Sequence, residues 1–163
     1  MQHELFGFPP PKPAQSYRIP IYKIALVREA ALTVRQPPQF CSSAQAVHVI
    51  RTYLAETDRE HLLALTVDTK NRLIGINTVS VGSLSSSLGH PREVFKAAIL
   101  QNAAGILLAH NHPSGDPTPS PDDRALTDRI KQAAELLGIR LLDHIIVGDG
   151  TERFFSFLDE GLL

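Results

Sequence analysis

A single cysteine, Cys41, stands among 163 residues. No intramolecular disulfide can form, and a reducing compartment is the default expectation. Neither sign of charge is in excess: the formal net charge is −1, which gives no strong field toward nucleic acid or an anionic membrane. No apolar run approaches the length of a membrane span. The start, Met1-Gln2-His3-Glu4-Leu5, lacks the basic segment and following apolar run of a signal peptide. Internal repeats are absent too. Together these absences predict a cytoplasmic protein with no membrane association. They leave its oligomeric state open.

What is present fits one domain plus an extension. The apolar fraction of 43% is ordinary for a chain able to bury a core. Charge is unevenly placed. Residues 1–40 hold five Lys/Arg and two Asp/Glu, a balance of +3, whereas residues 41–163 hold eleven and fifteen, a balance of −4. Three net charges are too few to make the first segment a DNA-binding arm. Seven of the twelve prolines lie in that segment, so residues 1–41 read as a proline-rich N-terminal extension. Within it Tyr17, Ile19 and Ile21 alternate with Arg18 and Pro20, the pattern of an edge strand.

The body, residues 42–163, reads as α-β-β-α-β-α-β-β. Ser42 and Gln45 predict a capping box, followed by helical spacing at Ala46, Val47, Ile50, Tyr53 and Leu54. Leu62–Val67 is a nearly continuous apolar run, as expected of a strand buried on both faces. Leu73–Val81 is a second strand whose apolar phase shifts, predicting a bulge near Asn77. Pro91 opens a helix that Gly105 is expected to close. Ile106–His110 is a third strand. Ser120-Pro121 starts a helix ending at Gly138, and Leu141–Val147 and Arg153–Phe157 are further strands. The fold class expected is α/β (mixed α+β), with a mixed sheet flanked by helices rather than a doubly wound parallel one.

Chemistry concentrates in Ala109–Asp123. Residues two apart on a strand share a side, so His110 and His112 can aim both imidazoles at one point. Asp123, three residues after the N-cap candidate Ser120, would face back from the first helical turn. Two imidazoles and a carboxylate suit zinc, and three protein ligands with one open position make a catalytic site. Each piece alone has a plainer explanation. Paired histidines at a strand end are often only solvated, and Ser120-x-x-Asp123 is a capping signature. The adjacency His110-Asn111-His112 carries no nuclease signal, because in that motif the three residues are dispersed along a ββα unit. His144 reads as a hydrogen-bonded core histidine, His90 as a helix-entry residue, and Cys41 as an ordinary buried thiol.

His110-x-His112-Pro113, six residues, then Ser120-x-x-Asp123 resembles the JAMM motif of the MPN+ (JAB) metallohydrolases. Asp68–Arg72, His90–Lys96, His110–Pro119 and Leu142–Gly148 resemble the RadC-like branch of that superfamily. The similarity covers roughly residues 42–163. It implies an MPN/JAB-type fold and one zinc per chain held by His110, His112 and Asp123. It also implies a glutamate on a separate strand as general acid/base. Glu60 matches by position, fifty residues before His110, with Glu56 and Asp58 as rivals. Ser120 resembles the family serine that donates to a developing oxyanion.

Three functions compete at this point. The first is a zinc-dependent hydrolase cleaving an amide, peptide or isopeptide bond of an unknown protein or peptide. The second is a DNA-associated module, since RadC-like proteins are commonly labelled as DNA-repair proteins. Residues 1–40 are too short and proline-rich to supply the helix-hairpin-helix region of longer relatives. The third is a scaffold whose metal site is idle.

Overall fold

A computed structural model of the chain describes residues 20, 21, 23, 25–29, 31, 38–55, 57–82 and 89–163. The expected edge strand at Tyr17–Ile21 falls largely outside these residues. Among those described, no helix is long and apolar enough to cross a membrane.

Among the described residues, eight elements occur in the order read from the sequence: α1 (Ser43–Leu54), β1 (His61–Val67), β2 (Leu73–Val81), α2 (Pro91–Leu100), β3 (Gly105–His112), α3 (Pro121–Leu137), β4 (Arg140–Gly148) and β5 (Phe154–Ser156). The strands form one sheet, ordered β2-β1-β3-β4-β5. All neighbours are antiparallel except β3 and β4, which run parallel with α3 as their crossover. This is the mixed sheet with flanking helices that the element pattern predicts.

Alternation along the strands sorts the core into two layers. Leu63, Leu65, Leu107, Ala109 and Ile145 pack with Ala46, Val47 and Ile50 of α1. Leu62, Ala64, Ile106 and Leu108 pack with Val94 and Phe95 of α2 and Leu126 and Ile130 of α3. Both faces of β1 and β3 are therefore covered, which explains their unbroken apolar runs. Odd-numbered residues of β3 face α1, and even-numbered residues face α2 and α3. Phe40 joins the α1 layer, and its backbone N–H donates to Asn71 O.

Local chemistry departs from the sequence reading in four places. Ser42 is the N-cap of α1 but makes no side-chain cap bond. Gln45 instead accepts from the N–H of Cys41, one residue earlier, so no capping box forms. Cys41 itself is exposed rather than buried, because the neighbouring Phe40 takes the core position. Helix α2 stops at Leu100, with Asn102 in the left-handed region (φ 53°), so Gly105 opens β3 instead of closing the helix. A Cβ at Gly105 would come within 3.1 Å of Arg140 O, so this glycine lets two strands approach closely. The β2 register shift opposite Leu62 and Leu63 skips Val79, two residues beyond Asn77.

Candidate metal centre

His110 and His112 occupy even positions at the C-terminal end of β3, so both project toward α3. After His112 the chain turns sharply: Gly115 takes φ 80°, and its N–H donates to His112 O. This loop lies directly against the end of β4, where a Cβ on Gly148 would stand 2.2 Å from Gly115 O. Pro121 then begins α3 as its first residue. Ser120 and Asp123 form the reciprocal capping box: Ser120 Oγ accepts from Asp123 N, and Asp123 Oδ2 accepts from Ser120 N. The carboxylate that completes the cap is the one turned toward the histidines.

Three side chains converge there. His110 Nε2 and His112 Nε2 are 3.0 Å apart. Asp123 Oδ1 is 3.3 Å from the first, and Oδ2 is 3.6 Å from the second. Ligands on a tetrahedral zinc at about 2.0–2.2 Å stand about 3.3–3.6 Å from one another. The two carboxylate separations match that edge length but run to different oxygens of Asp123, and the separation of the two imidazoles is shorter, so the rings and the carboxylate converge on one point without forming one face of such a tetrahedron. Glu60 Oε1 is farther out, 4.0 Å from His110 Nε2. Even so, Glu60, His110 and His112 have donor atoms within 4.8 Å of one another, a group that could hold a metal ion.

Protonation agrees with a centre built for positive charge. Burial opposes ionisation of Asp123, but the nearby His110 and His112 rings and the bond from Ser120 outweigh it and hold the carboxyl well below its ordinary range. The contact with Asp123 raises the pKa of His112 against the opposing effect of burial. His112 Nδ1 lies 2.7 Å from Asp116 O. A carbonyl only accepts, so Nδ1 carries the hydrogen, and in the neutral ring Nε2 keeps its lone pair toward the centre.

The structure places all five nominated residues around this point. Glu60, His112, Ser120 and Asp123 line an open cleft of about 350 Å³, with Pro113, Ser114 and Asp122 at its rim. His110 lies fully buried behind it. Ser120 Oγ donates to Asp123 Oδ2 at 2.7 Å, so its one hydrogen is directed at the carboxylate in this state. Of the rivals to Glu60, Asp58 is exposed and paired with Arg59, which holds its pKa down to about 2. Glu56 lies outside the described residues. His90 caps α2 by accepting from Arg92 N.

Two supporting arrangements escape the sequence reading. Asn111, at the odd position between the histidines, points to the opposite face and is fully buried. Its Oδ1 accepts from His61 N at 2.8 Å, and its Nδ2 donates to Arg59 O at 3.1 Å and to Asp149 Oδ2 at 2.7 Å. It therefore grips the backbone on both sides of Glu60, whose own carbonyl accepts from Gly82 N. The second arrangement lies behind His110, whose Nδ1 meets Nε2 of His144 at 3.0 Å. His144 Nδ1 in turn meets Thr127 Oγ1 at 2.7 Å. Burial drives the His144 pKa well down, with the nearby His110 adding to it. The one available signal was spacing: Thr127 follows Asp123 by four residues and so shares its helix face.

A family model described as a RadC-like JAB domain matches residues 40–162. The chain is 45% identical over 139 residues to a UPF0758 protein of Desulforamulus reducens, covering 85% of this chain and 58% of that one. It is 57% identical over 106 residues to a UPF0758 protein of Moorella thermoacetica, covering 65% and 45%. A UPF0758 protein of Methanosarcina acetivorans is 42% identical over 139 residues, covering 85% and 60%. The chain thus spans roughly half the length of these curated relatives.

Proposed function

The chain belongs to the RadC-like JAB domain family, and from that premise we propose that it is a zinc-dependent hydrolase cleaving an amide, peptide or isopeptide bond. The observation that carries this reading is the convergence of His110, His112 and Asp123, whose facing atoms lie 3.0 to 3.6 Å apart, with Glu60 Oε1 4.0 Å from His110 Nε2. His110, His112 and Asp123 would hold one zinc. When bound, the ion would supply Lewis acidity, which lowers the pKa of water from about 15.7 to about 7 in favourable sites.

The protein's own groups do the rest. Glu60, partly exposed at the cleft wall, takes a proton at its carboxylate and returns it to the leaving amine. Asn111 holds the backbone on either side of Glu60, so the base keeps its position through both transfers. Ser120 stands at the cleft with its hydroxyl on Asp123. Turning that hydrogen toward a developing oxyanion stabilises charge in the transition state.

Elemental analysis of purified protein tests the first step, with about one zinc per chain expected. The His110→Ala, His112→Ala double variant should lose it. Glu60→Gln should keep the zinc and lose hydrolysis of a fluorogenic peptide and isopeptide panel that the parent chain cleaves. A folded parent chain that takes up no metal at neutral pH would sink the proposal.

A further inference from the structure

Thr127 Oγ1 lies 2.7 Å from Asp123 O and 2.7 Å from His144 Nδ1. A hydroxyl has one hydrogen to give, and a helix carbonyl has none. The arrangement that satisfies both contacts sends the Thr127 hydrogen to Asp123 O. The oxygen of Thr127 then accepts a hydrogen carried on His144 Nδ1. The His144 ring is fully buried, and its two nitrogens meet Thr127 and His110; a neutral ring with its hydrogen on Nδ1 has a bare Nε2. A bare Nε2 can only accept, so the hydrogen between the two rings belongs to His110 Nδ1. A neutral His110 with its hydrogen there presents a lone pair on Nε2, the atom facing Asp123 and His112.

We infer that Thr127 is a positioning residue that fixes, through His144, the tautomer in which His110 can bind metal. This rests on the reading of His110 as a ligand. Helix α3 then supplies both a carboxylate ligand, Asp123, and, one turn later, the group that prepares a ligand on another strand. The relay opposes a competing state. With its hydrogen on Nε2, His110 would bond the Asp123 carboxylate 3.3 Å away, and His144 would have to donate from Nε2. Thr127 disfavours that state, because its one hydrogen would then have to leave Asp123 O to reach the bare His144 Nδ1.

Thr127→Val keeps the side-chain shape and removes the hydroxyl, whereas Thr127→Ser keeps the hydroxyl. Zinc affinity is measured by competition with a chelator of known affinity, and thermal melts confirm that each variant folds. T127V should bind zinc about 10- to 100-fold more weakly than the parent chain, the range typical of lost outer partners of a metal-bound histidine. T127S should bind within a few-fold. Nitrogen-15 imidazole spectra of the zinc-loaded parent chain give a readout independent of any variant, with His144 expected to carry its hydrogen on Nδ1. Zinc affinity unchanged in T127V, or a hydrogen on Nε2 of His144, overturns this inference alone. A parent chain that takes up no zinc overturns the hydrolase reading and this one together.

Discussion

Replacing Asn111 by aspartate isolates the clamp around Glu60. The substitution keeps the size of the side chain and the oxygen that His61 N uses, and it exchanges both N–H donors for an acceptor. One neutral hydrogen bond, to Arg59 O, is worth about 1 kcal/mol, and one to the Asp149 carboxylate about 1.5–3 kcal/mol. Their sum, about 2.5–4 kcal/mol, is the expected loss at neutral pH, before repulsion between the new carboxylate and Asp149. The loss must depend on pH. The introduced carboxyl meets an acceptor and a like charge, so its pKa is higher in the folded than in the unfolded chain. The folded state then holds the proton as pH rises through the ordinary aspartate range, and stability falls across that window. Urea denaturation of N111D and the parent chain at about pH 5 and about pH 8 measures this directly, with the larger deficit expected at the higher pH. Amide exchange at His61 adds a local readout: protected in the parent and in N111D, fast in Asn111→Ala. A deficit below about 1 kcal/mol, or one equal at both pH values, would refute the clamp.

Gly148→Ala should weaken zinc binding and destabilise the fold by about 1–3 kcal/mol, because its Cβ would meet Gly115 O at 2.2 Å and push the loop that follows His112. Chelator competition and urea melts check both effects. Ser120→Ala should cost about 1 kcal/mol through the lost N-cap and lower zinc affinity by freeing Asp123 Oδ2 from its hydroxyl partner. Ser120→Thr should restore both in the same assays. Asp143 is buried against Ser156 and the N–H of Leu158, and burial raises its pKa despite those bonds. The folded chain therefore keeps that proton longer than the unfolded one, and the contribution of Asp143 to stability falls as pH rises above 3.8. Asp143→Asn should flatten this part of the stability–pH curve, as measured by denaturant melts from acid to neutral pH.

Element type and order were legible because local signals and tertiary packing agree. The unbroken apolar runs of β1 and β3 correspond to strands covered by α1 on one side and α2 and α3 on the other. Helix α3 has a capping box at its start and a left-handed Gly138 at its end, both visible as residue types. The expected Ser42–Gln45 box failed because a compatible pair of side chains does not say which backbone N–H the glutamine will reach. Cys41 was misread because one-residue changes of direction before a helix decide exposure, and periodicity cannot resolve them. The even spacing of His110 and His112 already implied a shared face, and the structure places them with Glu60, Ser120 and Asp123 about one cleft. Asn111 and Thr127 were invisible as supporting groups because their partners lie on other elements: His61 is fifty residues from Asn111, and His144 is seventeen from Thr127. The pairing of β1 with β3 brings the first pair together, and the packing of α3 against β4 the second.

The capping box of α3 also bears on metal supply. Asp123 is held by Ser120 through two bonds at 2.7 Å, and His110 and His112 stand on a strand buried in the sheet. Hydrogen bonds and packing within the chain hold each of these groups. On the proposed zinc reading, such a site would differ from a zinc-finger domain, in which binding and folding are one event. Ion exchange would then proceed on a folded protein, and the loaded fraction would follow free zinc by mass action. A cell that adjusts its free zinc would thereby set how much of this protein is competent, with no change in the amount of chain.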